Sequence, residues 1–130
     1  MAKHVETVSS EGFASTSEAG SYDIALDPTG ETAPDTLESL LATYAACYIP
    51  ALRVAAEQRD AGDLGRVHIA VTGELNDDDK LAAVDFAVTV DATLDESKAS
   101  AVVERANALC KVHDALKPAL HASVDVNSSA

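Results

Sequence analysis

The sequence predicts an α+β fold with the element order β-β-β-α-β-β-α-β, in a single domain over residues 1–130. Short alternating segments open the chain, which is typical of strands. Two later stretches space their apolar residues by three and four, as helices do, and a pair of long alternating segments lies between them. No repeat or low-complexity linker divides the chain, so we expect one domain with two core helices against antiparallel sheets.

Three short, partly alternating segments open the chain, at residues 4–10, 13–18 and 21–26. Gly12 and Gly20 lie between them, and glycine favours tight turns. We therefore expect an antiparallel meander of three strands, followed by a loop over residues 27–35.

The first helix is predicted from Thr36 to about Ala61, with Asp35 as its N-cap. Glu38 lies at the third helical position, where an acidic side chain suits the positive end of the helix. One stripe carries the apolar residues of this helix: Leu37, Leu40, Leu41, Tyr44, Cys47, Tyr48, Ala51, Leu52 and Ala55.

Pro50 lies inside this helix, three residues after Cys47. A proline has no N–H, so the carbonyl of Ala46 loses its helical donor. We expect the helix to bend just past Cys47 and the Ala46 carbonyl to find another donor.

Two segments between the helices, residues 66–75 and 81–93, predict a long hairpin closed by the charged turn NDDDK. Asp95 then caps a second helix. Its apolar face carries Ala99, Val102, Val103, Ala106 and Cys110. Residues 111–120 predict a turn and a short helix that stops before Pro118, and residues 121–126 predict a last strand.

The chain is strongly acidic, with 22 acidic and 9 basic residues and a formal net charge of −13. Such a surface repels phosphate backbones and anionic lipids, which argues against binding to nucleic acid or to a membrane. The apolar residues are mostly Ala and Val, with only five aromatic side chains, so homo-oligomerisation would add useful buried area.

No apolar run approaches the roughly 18–20 residues that span a bilayer. The N-terminus MAKHVETVSS lacks the apolar region of a signal peptide. We therefore expect a cytoplasmic protein. In a reducing compartment Cys47 and Cys110 are not expected to form a permanent structural disulfide.

Cys47 and Cys110 each lie on the apolar face of a predicted helix. The residues alone leave three interpretations open, namely inert core, metal ligands or a redox pair. Metal binding is disfavoured because the four histidines show no zinc-like spacing with the cysteines. If the two helices pack together, the thiols come within disulfide range.

Both cysteine segments resemble motifs of a known family. PDTLESLLATYAACYIPAL (34–52) is similar to the pattern P-x-x-x-E-L-L-L-A-A-x-A-x-C in the first core helix of the OsmC/Ohr family of thiol-dependent peroxidases. ANALCKVHDAL (106–116) is similar to that family's second motif, A-x-x-x-C-P-V-S-x-A-L. The element order also agrees, so the resemblance covers nearly the whole chain.

The resemblance implies an intertwined homodimer that reduces organic hydroperoxides or hydrogen peroxide at sites between the subunits. It implies that Cys47 is the peroxidatic thiolate, which attacks the peroxide and becomes a sulfenic acid. Cys110 would be the resolving cysteine that forms a disulfide, and Glu38 the glutamate of the site. The resemblance implies no metal and no bound cofactor, since an external dithiol such as a lipoyl group would restore the thiols.

Three positions depart from the family pattern. The family's activating arginine has no counterpart, because only Lys3 and His4 are cationic upstream of the first cysteine. Lys111 replaces a proline and His113 replaces a serine. His113 is either an auxiliary base or cation, or an ordinary polar histidine, and Glu38 is either a site residue or only a helix-end acid.

A second function therefore stays open, that of a non-catalytic OsmC-like dimer that senses redox state through Cys47 or binds a small apolar or thiol-reactive ligand. The missing arginine favours it. A third interpretation is a structural α+β domain with buried cysteines. Rapid peroxide-driven formation of a Cys47–Cys110 disulfide would support the enzyme.

Overall fold

A computed structural model describes residues 1–129. The elements in chain order are β1 (Val5–Val8), β2 (Ser15–Ala19), β3 (Tyr22–Leu26), α1 (Thr36–Gln58), β4 (Val67–Leu75), β5 (Leu81–Val90), α2 (Glu96–Leu109), α3 (Lys111–Ala115), a 3₁₀ turn (Pro118–Leu120) and β6 (Ser123–Ser128). This confirms the predicted α+β class and element order. The short helix expected before Pro118 is α3.

The chain divides into two compact units, residues 1–40 and residues 41–130. The single domain over residues 1–130 stays a prediction. In the first unit the three strands form the expected antiparallel meander in the order β1-β2-β3. The Thr7 and Ser17 hydroxyls share a hydrogen bond of 2.7 Å across β1 and β2.

Asp27 organises the loop that follows β3. Its carboxylate accepts the N–H and hydroxyl of Thr29 at 2.9 and 2.8 Å, and those of Thr32 at 3.1 and 2.8 Å. These bonds, those of Thr29 above all, hold the pKa of the Asp27 carboxyl well below its usual range. The segment predicted as a loop is therefore an ordered turn built around one carboxylate.

In the second unit β4 and β5 form the predicted hairpin, with Val71 opposite Phe86 near its centre. β6 pairs with β5 in parallel, with Val124 beside Phe86. This corrects the expectation of purely antiparallel sheets. The physical reason is the crossover through α2 and α3, which returns the chain to the same end of the sheet before β6 begins.

α1 packs on this sheet through aromatic contacts. The rings of Tyr44 and Tyr48 lie 4.6 and 5.1 Å from the ring of Phe86. All three side chains are buried. The predicted stripe is confirmed along the middle and end of the helix, where the buried residues are Tyr44, Tyr48, Ala51, Leu52, Ala55 and Ala56.

α1 is a long and largely apolar helix. It has 23 residues, and by length and composition it is apolar enough to cross a bilayer. The core helix of a soluble protein meets the same criteria, and 33% of the apolar segment is buried within the fold. In this structure the buried face is the tyrosine stripe that packs on β5.

Gly65 lies between α1 and β4 in a left-handed conformation, with φ +73°. A methyl group there would lie 2.7 Å from the Asp91 side chain. The Asp91 carboxylate is held in place by the N–H of Arg66 at 2.9 Å and the hydroxyl of Ser129 at 3.1 Å. Gly62 has nearly the same φ, +75°, but no described atom lies within 4 Å of a methyl group at that position.

We expect Gly65→Ala to lower the free energy of unfolding by about 1–3 kcal/mol more than Gly62→Ala does. Both variants force alanine into a left-handed conformation, so their difference isolates the collision with Asp91. Urea unfolding of the two variants and the wild type measures it. Equal midpoints for the two variants would show that Asp91 moves aside without loss of stability.

Candidate functional site

α1 carries Cys47 at the edge of its buried face. The neighbouring Tyr44 and Tyr48 are fully buried, whereas Cys47 is only partly buried and has a free thiol. Residues three or four apart on a helix lie on one face. The sulfur therefore has the aromatic core on one side and an accessible surface on the other.

Cys110 occupies the junction between α2 and α3. Its backbone is extended, with φ −73° and ψ 114°, so it ends one helix and begins the next. Its N–H donates to the Ala106 carbonyl at 2.9 Å, and its sulfur accepts the N–H of His113 at 3.4 Å. The residue is only 2% exposed. Cys110 is thus fixed at both its backbone and its sulfur.

The structure brings the two cysteines together. Both cysteines are free, and each lies close enough to the other to affect its ionisation. The backbone N–H groups of Val112 and Lys111 also lie close enough to the Cys47 sulfur to lower its pKa. Groups from the start of α3 and the residue before it therefore converge on one sulfur of α1.

This arrangement separates the acidities of the two thiols. The N–H of Val112 does most to lower the pKa of the Cys47 thiol, against the opposing effect of burial, and Cys110 and Lys111 lower it further. Burial raises the pKa of the Cys110 thiol, and the adjacent Cys47 raises it further. Both effects favour ionisation of the Cys47 thiol over that of the Cys110 thiol.

A cleft of about 270 Å³ opens beside the Cys47 sulfur. It is lined by Cys47, Pro50, Ala51, Val54, Leu109 and Lys111. Apart from the thiol and Lys111 these walls are apolar, so the cleft suits an apolar molecule whose reactive group meets the sulfur. A larger hollow of about 590 Å³ near Gly62 contains neither cysteine.

Pro50 forms part of the wall next to Cys47. α1 continues through it from Thr36 to Gln58. Because proline has no N–H, the Ala46 carbonyl lacks its usual helical partner. The predicted bend past Cys47 stays a prediction.

His113 supports Cys110 and packs away from the cleft. Its Nδ1 lies 2.6 Å from the Tyr44 hydroxyl, and that hydroxyl also accepts the N–H of Ala122 at 3.0 Å. The His113 ring stacks on His121, with 3.8 Å between the ring centroids. The network therefore joins α1, α3 and the segment that leads into β6.

The ring of His113 is held in its neutral form. Burial lowers the pKa of His113, and the neighbouring His121 lowers it further, while Asp114 opposes them. A neutral ring can accept the Tyr44 hydroxyl proton at Nδ1. Only the backbone N–H of His113 is seen to contact a site sulfur, so the auxiliary role of its ring stays a prediction.

Residues 1–129 hold no group of three or more His, Cys, Asp or Glu side chains placed to bind a metal ion.

Glu38 forms a capping box at the start of α1. Its N–H donates to the Asp35 carboxylate at 2.7 Å, and its own carboxylate accepts the N–H of Asp35 at 3.0 Å. Asp35 is therefore confirmed as the N-cap. This is the structural role that the sequence left open for Glu38, and its catalytic role stays a prediction.

Comparison with known families bears on both cysteine segments. The family model described as OsmC-like protein matches residues 28–125, which include Cys47 and Cys110. The chain belongs to the OsmC family. The expectation from the two motifs is therefore confirmed.

Three similar proteins cover nearly the whole chain. An uncharacterized protein of Haloferax volcanii is 42% identical over 120 residues, covering 92% of this chain and 91% of that protein. An OsmC-like protein from Mycoplasma pneumoniae has a TM-score of 0.81 at 18% identity, over 99% of this chain and 96% of that one. The organic hydroperoxide resistance protein OhrB of Bacillus subtilis has a TM-score of 0.71 at 21% identity, over 98% of each chain. The two solved structures establish a common fold.

Lys111 and Val112 are the site residues that the sequence did not indicate. In the OsmC motif the residue after the second cysteine is a proline, which has no N–H to donate. The lysine at this position could have indicated this role, because any residue other than proline supplies a backbone N–H after the second cysteine. The hydroxyl of Tyr44 was also missed, since the helical pattern identifies this residue only as core.

We expect Tyr44→Phe to lower the free energy of unfolding by about 1–3 kcal/mol, because it leaves Ala122 N–H and His113 Nδ1 without their partner. Tyr48→Phe is the matched control. The Tyr48 hydroxyl donates to Asn107 at 2.7 Å. Because this is a single bond, Tyr48→Phe should lower the free energy of unfolding by less than Tyr44→Phe does. Thermal unfolding of both variants measures the difference, and equal losses would contradict a joining role for the Tyr44 hydroxyl.

Proposed function

We propose that this OsmC-family chain is a cysteine-based peroxidase that reduces hydroperoxides, organic ones in preference to hydrogen peroxide. The observation that carries this proposal is the contact between two unlike thiols. Cys47 has a lowered pKa and lies at an apolar cleft, while the adjacent Cys110 is buried and has a raised pKa. Such a pair suits one attacking thiolate and one resolving thiol.

The reaction begins at the Cys47 thiolate. Its sulfur attacks the terminal oxygen of the hydroperoxide, so that an S–O bond forms and the O–O bond breaks. The alkoxide leaves and takes a proton from water. Cys47 has then lost two electrons and become a sulfenic acid, and the hydroperoxide has been reduced to an alcohol. The N–H groups of Lys111 and Val112 stabilise the thiolate before this attack.

Cys110 resolves the sulfenic acid. Its sulfur attacks the Cys47 sulfur, an S–S bond forms, the S–O bond of the sulfenic acid breaks, and the hydroxyl leaves as water with the proton that the Cys110 thiol gives up. The two residues already lie close enough to shift each other's pKa, so little movement is needed. An external dithiol, such as a lipoyl group, would then reduce the disulfide by exchange and become oxidised to its own disulfide.

We expect the reduced protein to form a Cys47–Cys110 disulfide on treatment with near-stoichiometric cumene hydroperoxide, and more slowly with hydrogen peroxide, which lacks the apolar group that fits the cleft. Peptide mapping by mass spectrometry measures this product. Cys47→Ser should abolish it, and Cys110→Ser should stop at a Cys47 sulfenic acid that a 1,3-dione traps. If both thiols of the wild type stay reduced in excess peroxide, the peroxidase function is wrong.

A second function, that of a redox sensor or small-ligand-binding protein, is favoured by the absence of any arginine before Arg53. A sensor would oxidise at the same two cysteines but would not cycle efficiently. Turnover in the presence of dihydrolipoamide distinguishes the two functions. Many alcohols produced per chain support the enzyme, and one oxidation per chain supports the sensor.

We also propose that the chain works as a homodimer in the cytoplasm, where a reducing environment keeps both thiols free. The first unit exposes an unusual number of large apolar side chains, which a second copy would cover. They are Val5, Val8, Phe13, Tyr22 and Ile24. In a dimer Glu38 would take part in the site of the second copy.

We expect sedimentation to give twice the 13.4 kDa mass of the chain. Tyr22→Ser should reduce the dimer fraction, because the Tyr22 side chain is 76% exposed in the single chain. Leu75→Ser is the control, since Leu75 is an exposed apolar residue of the other unit. A monomeric wild type at micromolar concentration would contradict the dimer.

A further inference from the structure

Lys111 is the only charged residue among those that line the Cys47 cleft. Within residues 1–129 its ammonium group makes no hydrogen bond and no ion pair. An unpaired cation on an apolar wall is free to interact with a thiolate or with a negatively charged group in the cleft.

The backbone of Lys111 contributes separately from its side chain. The residue begins α3 directly after Cys110, and its N–H lies close enough to the Cys47 sulfur to lower the pKa of that thiol. Its positive charge also favours ionisation of the Cys47 thiol, that is, it lowers the pKa. One residue therefore supplies both a short-range donor and a charge.

The other candidate groups of this region are already engaged. The guanidinium of Arg53 donates to the Gly65 carbonyl at 2.8 Å. The His113 ring is bonded to the Tyr44 hydroxyl and stacked on His121. Lys111 is left as the cation with access to the sulfur.

We propose that Lys111 acts together with Val112 to activate Cys47, through its backbone N–H beside the sulfur and its ammonium group on the cleft wall. As the sulfur attacks a hydroperoxide, negative charge passes from the sulfur to the departing alkoxide oxygen, which water then protonates. The ammonium group stabilises the charge at both ends of this transfer. The chemistry of this step rests on the proposed peroxidase function, but the activation of the thiol does not.

The first test measures the reactivity of Cys47 without peroxide. Cys47 is alkylated at pH 7 with neutral iodoacetamide and with anionic iodoacetate, and mass spectrometry quantifies the Cys47 adduct. Lys111→Met should slow the reaction with iodoacetamide by roughly three- to tenfold and the reaction with iodoacetate by more, because it removes a positive charge beside the sulfur. Lys111→Arg should stay within about twofold of the wild type, since it keeps the charge and the N–H.

Two further variants separate the contributions. Lys111→Pro removes both the N–H and the charge, so it should slow alkylation more than Lys111→Met does. Lys117→Met removes an exposed lysine that does not line the cleft, and it should react as the wild type does. If Lys111→Pro fails to fold, the methionine and arginine variants decide the outcome.

The same variants are then assayed for reduction of cumene hydroperoxide. If the wild type lacks this activity while Lys111→Met still shows slowed alkylation, the proposed function fails and the activation by Lys111 stands. If Lys111→Met keeps the wild-type rates with both alkylating reagents and with the hydroperoxide, the ammonium group of Lys111 does not activate Cys47 and the proposal is wrong. In that case the peroxidase function is unaffected.

Discussion

The extended backbone of Cys110 is the constraint on which the site depends. If α2 continued through this residue, the N–H groups of Lys111, Val112 and His113 would each bond to a carbonyl of the preceding turn. The break at Cys110 leaves the first N–H groups of α3 without helical partners. They face sulfur instead: those of Val112 and Lys111 lower the pKa of Cys47, and that of His113 donates to Cys110.

This geometry gives two identical side chains different chemistry, and in the proposed cycle it also orders their reactions. Part of the rise in the Cys110 pKa comes from the neighbouring Cys47. Oxidation of Cys47 to a neutral sulfenic acid removes the negative charge of the thiolate. Cys110 then ionises more easily, at the stage when its thiolate is needed. In the proposed cycle Cys110 therefore stays protonated before the first step and ionises more easily after it.

The sequence predicted the elements of this fold well because periodicity encodes burial. It did not predict that β6 is parallel to β5, since an alternating strand presents the same faces in either direction. It identified Cys47 and Cys110 but could not place them in contact, because that contact depends on the backbone turn at Cys110. The three donors from Lys111, Val112 and His113 are backbone groups, so no pattern of side chains reveals them. The side-chain network of Tyr44 depends on tertiary contacts with residues far along the chain.

The acidic surface explains why backbone donors suit this site. A net charge of −13 opposes the formation of another anion at Cys47. Dissolved salt weakens that repulsion, but it also screens the ammonium of Lys111, since the Debye length falls from about 8 Å at physiological ionic strength to about 3 Å at 1 M. A hydrogen bond from an N–H acts at contact distance, where no ion can intervene. The donors at the start of α3 therefore stabilise the thiolate at any ionic strength, whereas the contribution of the Lys111 charge is largest in dilute salt.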